Sequence, residues 1–226
     1  MVFDRPRPPR IIVGLVVVIL VLSLAVAIDA REGGDLVFLL GLSSSRVWHG
    51  ELWRLVTWPF IAVGPWSLVF GCVTVYVCGS DLVSAWGTRP FARYVAAALL
   101  IAGGGATLVS LVMPSVDHRL YLGCWALDDA LVIAWALQFP LRLVRIWFVL
   151  ELRGRMLVHA VTGLTVLVAI YAGVSAVLPE LLASAVALTY MDGWPRLAAP
   201  RPAPAPPPRP RPRGPYRVPD DAPPPN

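Results

Sequence analysis

The chain has 226 residues, of which 57% are hydrophobic and 15% charged, with a mean hydropathy of +0.68. Soluble domains carry about a quarter charged residues, so this composition excludes an ordinary water-soluble fold, and its long continuous apolar runs exclude the short alternating segments of a β-barrel. The net charge of +5 comes from arginine alone, because the chain has no lysine; in a membrane protein such charge orients helices rather than marking a nucleic-acid partner.

Several apolar runs approach the ~20 residues that cross a bilayer. The expected class is therefore all-α, a polytopic membrane protein whose first partner is the lipid bilayer. Cys72, Cys78 and Cys124 all fall inside apolar runs, at spacings that match no zinc pattern. No metal, cofactor or disulfide framework is expected from them.

Residues 1–10 form a basic leader broken by proline, and residues 11–28 follow without a charge. No small-x-small cleavage site precedes Asp29, so the run reads as a retained first helix rather than a signal peptide. Residues 29–52 read as a polar loop in which Gly33-Gly34 and Ser43-Ser44-Ser45 oppose helix formation. The apolar patch 36–42 inside it is too short to span and belongs at the interface or on the bundle. A second helix is expected over 55–79, interrupted near Gly64-Pro65, and a third over 94–113, with Ala98, Ala102 and Ala106 spaced for close helix contact. The fourth is 120–138. The fifth is 156–178, with Ala172 and Ala176 as another small pair. The sixth, 179–191, is short and needs tilt, local thinning or an N-terminal extension.

Arginine placement supports six spans with both termini cytoplasmic. On that count Arg31, Arg46, Arg54 and Arg119 lie outside and the other fifteen of the 19 basic residues lie inside. Residues 195–226 hold 14 prolines in 32 residues; proline fixes φ and lacks an amide proton, so this tail is expected to be disordered. Its arginines suit anionic headgroups. The expected organisation is a leader (1–10), a six-helix transmembrane domain (11–194) and a proline- and arginine-rich cytoplasmic tail (195–226). The arginine, alanine and proline usage fits a GC-rich genome, hence a bacterial plasma (inner) membrane.

The fourth run carries Asp128 and Asp129 near its middle, and ionisable groups at membrane depth are functional candidates by default. Just before them stands Gly123-Cys124-Trp125-Ala126.

Gly50-Glu51-Leu52-Trp53-Arg54-Leu55-Val56-Thr57-Trp58-Pro59-Phe60 resembles the segment that follows the first helix of rhomboid intramembrane proteases. Ser84-Ala85-Trp86-Gly87-Thr88-Arg89-Pro90-Phe91 looks like their glycine turn between helices two and three. Phe139-Pro140 falls where a Phe-Pro closes their fourth helix. The similarity covers roughly residues 11–191 and implies a six-helix rhomboid-like bundle. Rhomboids cut with a serine in Gly-x-Ser-Gly on helix four and a histidine on helix six, the histidine taking the serine proton. Here Gly123-Cys124-Trp125-Ala126 occupies that place, with Trp125 at the nucleophile and Ala126 at the second glycine. On helix six, Glu180 takes the histidine position, with Ala183 and Ala187 for the following glycines; a shift of one residue would put Leu181 there instead. Trp66 and Phe70 stand at about the His-x-x-x-Asn that assists the oxyanion. The acidic residue before the turn glycine is missing, with Asp81 slightly upstream.

The resemblance therefore implies a pseudoprotease that binds transmembrane segments of client proteins without cleaving them; no catalytic residue is assigned. Trp53 and Arg54 read as a structural loop motif, the guanidinium tying loop carbonyls or a carboxylate such as Asp81 or Glu51. His118 and His159 are poor substitute bases, one in a loop and the other at the far end of helix five. Asp128, Asp129 and Glu180 keep two further functions open: an aspartyl-type hydrolase, in which paired carboxylates share a proton, or a proton or cation path. The remaining reading is a polar network that fixes helix packing.

Overall fold

In the computed structural model, which describes residues 8–146 and 150–193, the first apolar run forms α1 (Arg10–Arg31). Its Ile12 and Ile19 are fully buried in the bundle while Val17, Val21 and Leu24 stay exposed. Most of the leader and the proline-rich tail lie outside the described residues.

Residues 29–52 are more ordered than a polar loop. Asp29 Oδ2, at the end of α1, accepts the Leu36 backbone N–H at 2.7 Å and so holds the start of α2 (Leu36–Leu40). A short strand β1 (Leu42–Ser43) follows. The serines, expected to oppose a helix, begin one instead: α3 (Ser44–Trp48) has Ser43 at its N-cap position, where serine is favoured. After α4 (Arg54–Thr57) and a 3-10 turn over Trp58–Phe60, the second long helix starts only at Pro65. Gly64 at φ 99° makes the turn and proline occupies the first helical position, where its missing N–H costs nothing. The helix runs through α5 (Pro65–Thr74), a π turn (Val75–Gly79) and α6 (Ser80–Trp86). The expected bounds 55–79 are thus shifted towards the C-terminus.

Gly87 at φ 88° breaks the chain before α7 (Thr88–Val109). The helix α8 (Pro114–Asp117) and strand β2 (Leu120–Tyr121) come next. β2 pairs antiparallel with β1, Leu42 opposite Tyr121 and Ser43 opposite Leu120. The run 120–138 is therefore not one helix. Its first residues join the bridge, Gly123 turns at φ 116°, and α9 begins at Trp125 and ends at Gln138. A two-stranded hairpin that hydropathy does not reveal, β3 (Leu143–Ile146) with β4 (Leu150–Arg153), leads to α10 (Gly154–Ala172). Gly173 at φ 87° and a 3-10 turn over Val174–Ala176 connect it to α11 (Leu178–Gly193). Ala172 and Ala176 consequently sit on different elements and form no small pair.

Among the described residues four helices are long and apolar enough to cross a membrane: Arg10–Arg31, Pro65–Trp86, Thr88–Val109 and Gly154–Ala172. The other two expected spans are shorter, α9 at 14 residues and α11 at 16. Nine of the 14 residues of α9 are buried, the pattern of a helix wrapped by protein on most sides. α5, α7, α10 and α11 all pack on it, α11 most extensively. Ala126, Ala130 and Ala134 of α9 and Ala183 and Ala187 of α11 are at most 1% exposed, and small side chains let such helices approach closely. Ala98, Ala102 and Ala106 of α7 are fully buried in the same way.

Hydrogen bonds fix the ends of this centre. At one end Tyr121 donates to the Ser175 carbonyl at 2.6 Å. At the other, Trp86 Nε1 donates to Gln138 Oε1 at 3.0 Å, and the Trp86 and Tyr94 rings pack on Tyr190 at 6.3 and 4.9 Å. The central helices α9 and α11 therefore run parallel. In contrast, α10 is peripheral, with few of its residues buried, Thr165 among them.

Candidate functional site

Two constellations stand out, one on each side of the Tyr121 bridge. The first is built by the Trp53-Arg54 motif. Arg54 is fully buried. Its Nη1 donates to the carbonyls of Phe38 at 2.5 Å and Gly41 at 2.6 Å, and its Nε donates to Glu51 Oε2 at 2.6 Å. Trp53 Nε1 donates to the Leu39 carbonyl at 3.3 Å and Thr57 Oγ1 to the Leu40 carbonyl at 2.7 Å. Four successive carbonyls, 38 to 41, at the end of α2 thus each receive a side-chain donor. The last carbonyls of any helix lack intrahelical partners, and a buried one left bare costs about 1–3 kcal/mol. A five-residue helix has too few turns to satisfy these carbonyls itself, and the side-chain donors form its C-terminal cap. The carboxylate partner is Glu51 rather than Asp81. Asp81 lies at the opposite end, where its Oδ2 accepts Trp135 Nε1 at 2.9 Å and Arg142 Nη1 at 2.8 Å.

The second constellation opens α9. Gly123 is buried, and its absent side chain leaves room for Trp125, whose Cδ1 lies 3.1 Å from where a Cβ would stand. The Trp125 side chain is folded back over the turn and the residue is 48% exposed. Cys124 is fully buried, its Cβ and Sγ 3.0 and 3.1 Å from the position a Cβ on Gly71 would take. Ala126 faces the core.

Successive residues on a helix point about 100° apart, and the two aspartates diverge accordingly. Asp128 turns inward beside Gly71 of α5, its Oδ2 3.7 Å from the same hypothetical Cβ. Asp129 turns towards α10, where Thr165 Oγ1 donates to its Oδ2 at 3.1 Å. Glu180, in the first turn of α11, lies within Coulombic reach of Asp129, as does Asp128. Ala183 and Ala187 follow Glu180 on the face that is buried. Asp128 Oδ1, Glu180 Oε2, Thr162 Oγ1 and Ser184 Oγ are buried without a hydrogen-bond partner. Among the described residues no three His, Cys, Asp or Glu side chains could hold a metal ion, so the carboxyls share a region rather than a coordination point.

Several residues are not brought to this site. His159 Nδ1 bonds the Arg155 carbonyl on its own helix, and His118 is exposed in a cleft beside Arg46 and Arg119. Trp66 and Phe70 are 68% and 43% exposed. Among the described residues no hydrogen bond links a histidine to Cys124, Asp128, Asp129 or Glu180. Thr165 was not singled out from the sequence, although a hydroxyl three residues after Thr162 in an apolar helix marks a polar stripe. The Asp81–Trp135–Arg142 cluster and the Tyr121 bond left no sequence signal.

Burying a carboxyl oxygen without a partner costs stability. Asp128→Asn is expected to raise the free energy of unfolding in detergent by about 1 kcal/mol, because an amide is cheaper to bury than a carboxylate. A loss of that size instead would mean that Asp128 holds the helices together.

These features define a helical, polytopic integral membrane protein with ionisable groups inside its bundle. The family described as eukaryotic integral membrane protein (DUF1751) matches residues 10–194, and the chain belongs to that family. None of the curated proteins compared with the chain matches it. The family description places the chain in a membrane; being eukaryotic, it lends no support to the bacterial inner membrane that composition points to.

Proposed function

We propose that this protein is a rhomboid-like scaffold without a protease dyad, and that it receives transmembrane segments of client proteins laterally without cleaving them. The observation that carries this reading is Trp125. It stands at the head of the central helix where the resemblance implies a nucleophile, it is half-exposed, and indole cannot attack a carbonyl. On α11, Glu180 stands where the resemblance implies a histidine. The peripheral position of α10, which leaves most of its residues facing outward beside α9, supports lateral access. In this reading six helices lie in the membrane, the shorter α9 and α11 sheltered inside the bundle, and both termini face the cytoplasm, in a bacterial plasma membrane.

The test places a photocrosslinking residue at Trp125 and co-expresses a reporter transmembrane segment. Crosslinked reporter is expected at full length, with no cleavage product, and Asp129→Asn and Glu180→Gln leave the crosslink in place. Cleavage abolished by Asp129→Asn would overturn the reading in favour of a hydrolase. Proton flux into liposomes, lost in the same variant, would favour a conduction path; the unpartnered oxygens of Asp128 and Glu180 are what keep those two alternatives.

A further inference from the structure

The cleft at the Tyr121 end of the bundle shares no lining residue with the carboxyl region. Its volume is about 550 Å³, and its lining mixes cationic groups (Arg46 and Arg119), polar ones (Ser43 and His118) and apolar ones (Phe38 and Leu39). Arg46 and Arg119 are far apart in sequence, and the β1–β2 bridge brings them together. Arg46 follows β1 on α3, Arg119 directly precedes β2, and Ser43 faces Leu120 in the pairing. The apolar part of the lining is equally fixed, since the carbonyls of Phe38 and Leu39 are held by Arg54 and Trp53.

Neither guanidinium is consumed by its surroundings. Arg46 reaches Glu51 only at 3.6 Å, and that carboxylate is engaged more closely by Arg54 at 2.6 Å. Arg119 makes one long bond, from Nη2 to the Ala172 carbonyl at 3.4 Å. Each arginine offers five donors in a planar fork suited to phosphate oxygens. Two like charges converging on one cleft repel each other, and a bound anion relieves that repulsion. Asp35 is the carboxylate lining the cleft. Phe38 and Leu39 are 54% and 48% exposed on the rim, an apolar surface that a free phosphate would not use and an acyl chain would.

The geometry points to a site for an anionic phospholipid: the phosphate is gripped by Arg46 and Arg119, with Ser43 and His118 as further polar contacts, and the first part of an acyl chain lies along Phe38 and Leu39. The protein is reconstituted in equal parts of phosphatidylcholine and phosphatidylglycerol, extracted in mild detergent, and its retained lipids are counted by native mass spectrometry. Preferential retention of phosphatidylglycerol is expected, falling about fivefold for Arg46→Gln or Arg119→Gln alone and vanishing in the double variant. Asp35→Asn removes the opposing charge and is expected to increase retention, a gain that misfolding cannot produce. Equal retention of the two lipids by the wild-type protein, or a preference that survives the double variant, would overturn the assignment. So would binding of soluble glycerol phosphate that depends on both arginines without any lipid preference, which would make the ligand a free phosphate ester.

Discussion

Arg54→Ala is expected to lower the free energy of unfolding by about 3 kcal/mol, the low end of the cost of breaking a buried ion pair because Glu51 is partly exposed. The loss has two parts. Glu51 keeps its charge but loses its closest partner, and the carbonyls of Phe38 and Gly41 lose their donors, the Gly41 carbonyl in a buried place and the Phe38 carbonyl in a partly buried one. Arg54→Lys restores the charge but not the fork that reaches two carbonyls and a carboxylate at once, so it is expected to recover only part and still lose about 2 kcal/mol. Thermal or denaturant unfolding in detergent reads both. The same variants also loosen Phe38 and Leu39, so the lipid preference of the adjoining cleft should weaken with them. A change below about 0.5 kcal/mol for Arg54→Ala would mean that water reaches and satisfies the carbonyls, as at a surface pair.

Gly71→Leu is the second substitution with a large expected effect. Gly71 lets α5 approach the start of α9 so closely that even a Cβ would stand 3.0 Å from Cys124 Cβ and 3.1 Å from its Sγ. Alanine in a helix interior ordinarily stabilises by up to about 1 kcal/mol relative to glycine, a gain that this contact should cancel. Leucine has no room and must push the two helices apart, for an expected loss of about 3 kcal/mol. Cys124→Gly in the Gly71→Leu background removes both opposing atoms and should restore at least 1 kcal/mol, about the coupling found between residues in contact. Simple additivity of the two substitutions would show that they do not meet. The displacement also matters for function, since it moves Trp125 and Asp128 together.

How much of this was legible in the chain depends on the range of the physics involved. Membrane insertion follows from summed hydropathy, which is local and needs no partner; the four long spans and the helical class were readable for that reason. Trp53-Arg54 could be read as a structural motif because arginine's donor geometry is a property of the residue, but the carbonyls it caps, those of Phe38, Leu39 and Gly41, lie on a preceding segment that only the fold brings under it. Helix bounds failed where backbone conformation overrode hydropathy. Gly64, Gly87 and Gly123 adopt positive φ and set the starts of α5, α7 and α9, several residues from where hydropathy put them.

The carboxyl region shows the same division. Asp128 and Asp129 were visible as charges inside an apolar run, and their divergence follows from helical periodicity. Which neighbour each would meet was not: Thr165 on α10 for Asp129, and Gly71 on α5 for Asp128. Glu180 was nominated through the rhomboid resemblance, with Leu181 as the alternative, and the parallel packing of α11 on α9 brings Glu180 within reach of Asp129.

The sequence by itself determined that this is a helical membrane protein and which residues carry unusual chemistry for a bilayer. Only the tertiary structure decided that 120–138 is a strand, a glycine turn and a fourteen-residue helix rather than one span. The reason is that a hydropathy sum treats every apolar run as facing lipid. A run surrounded by four other helices is already in an apolar medium, and it can be short and can carry carboxyls because protein, not lipid, surrounds it.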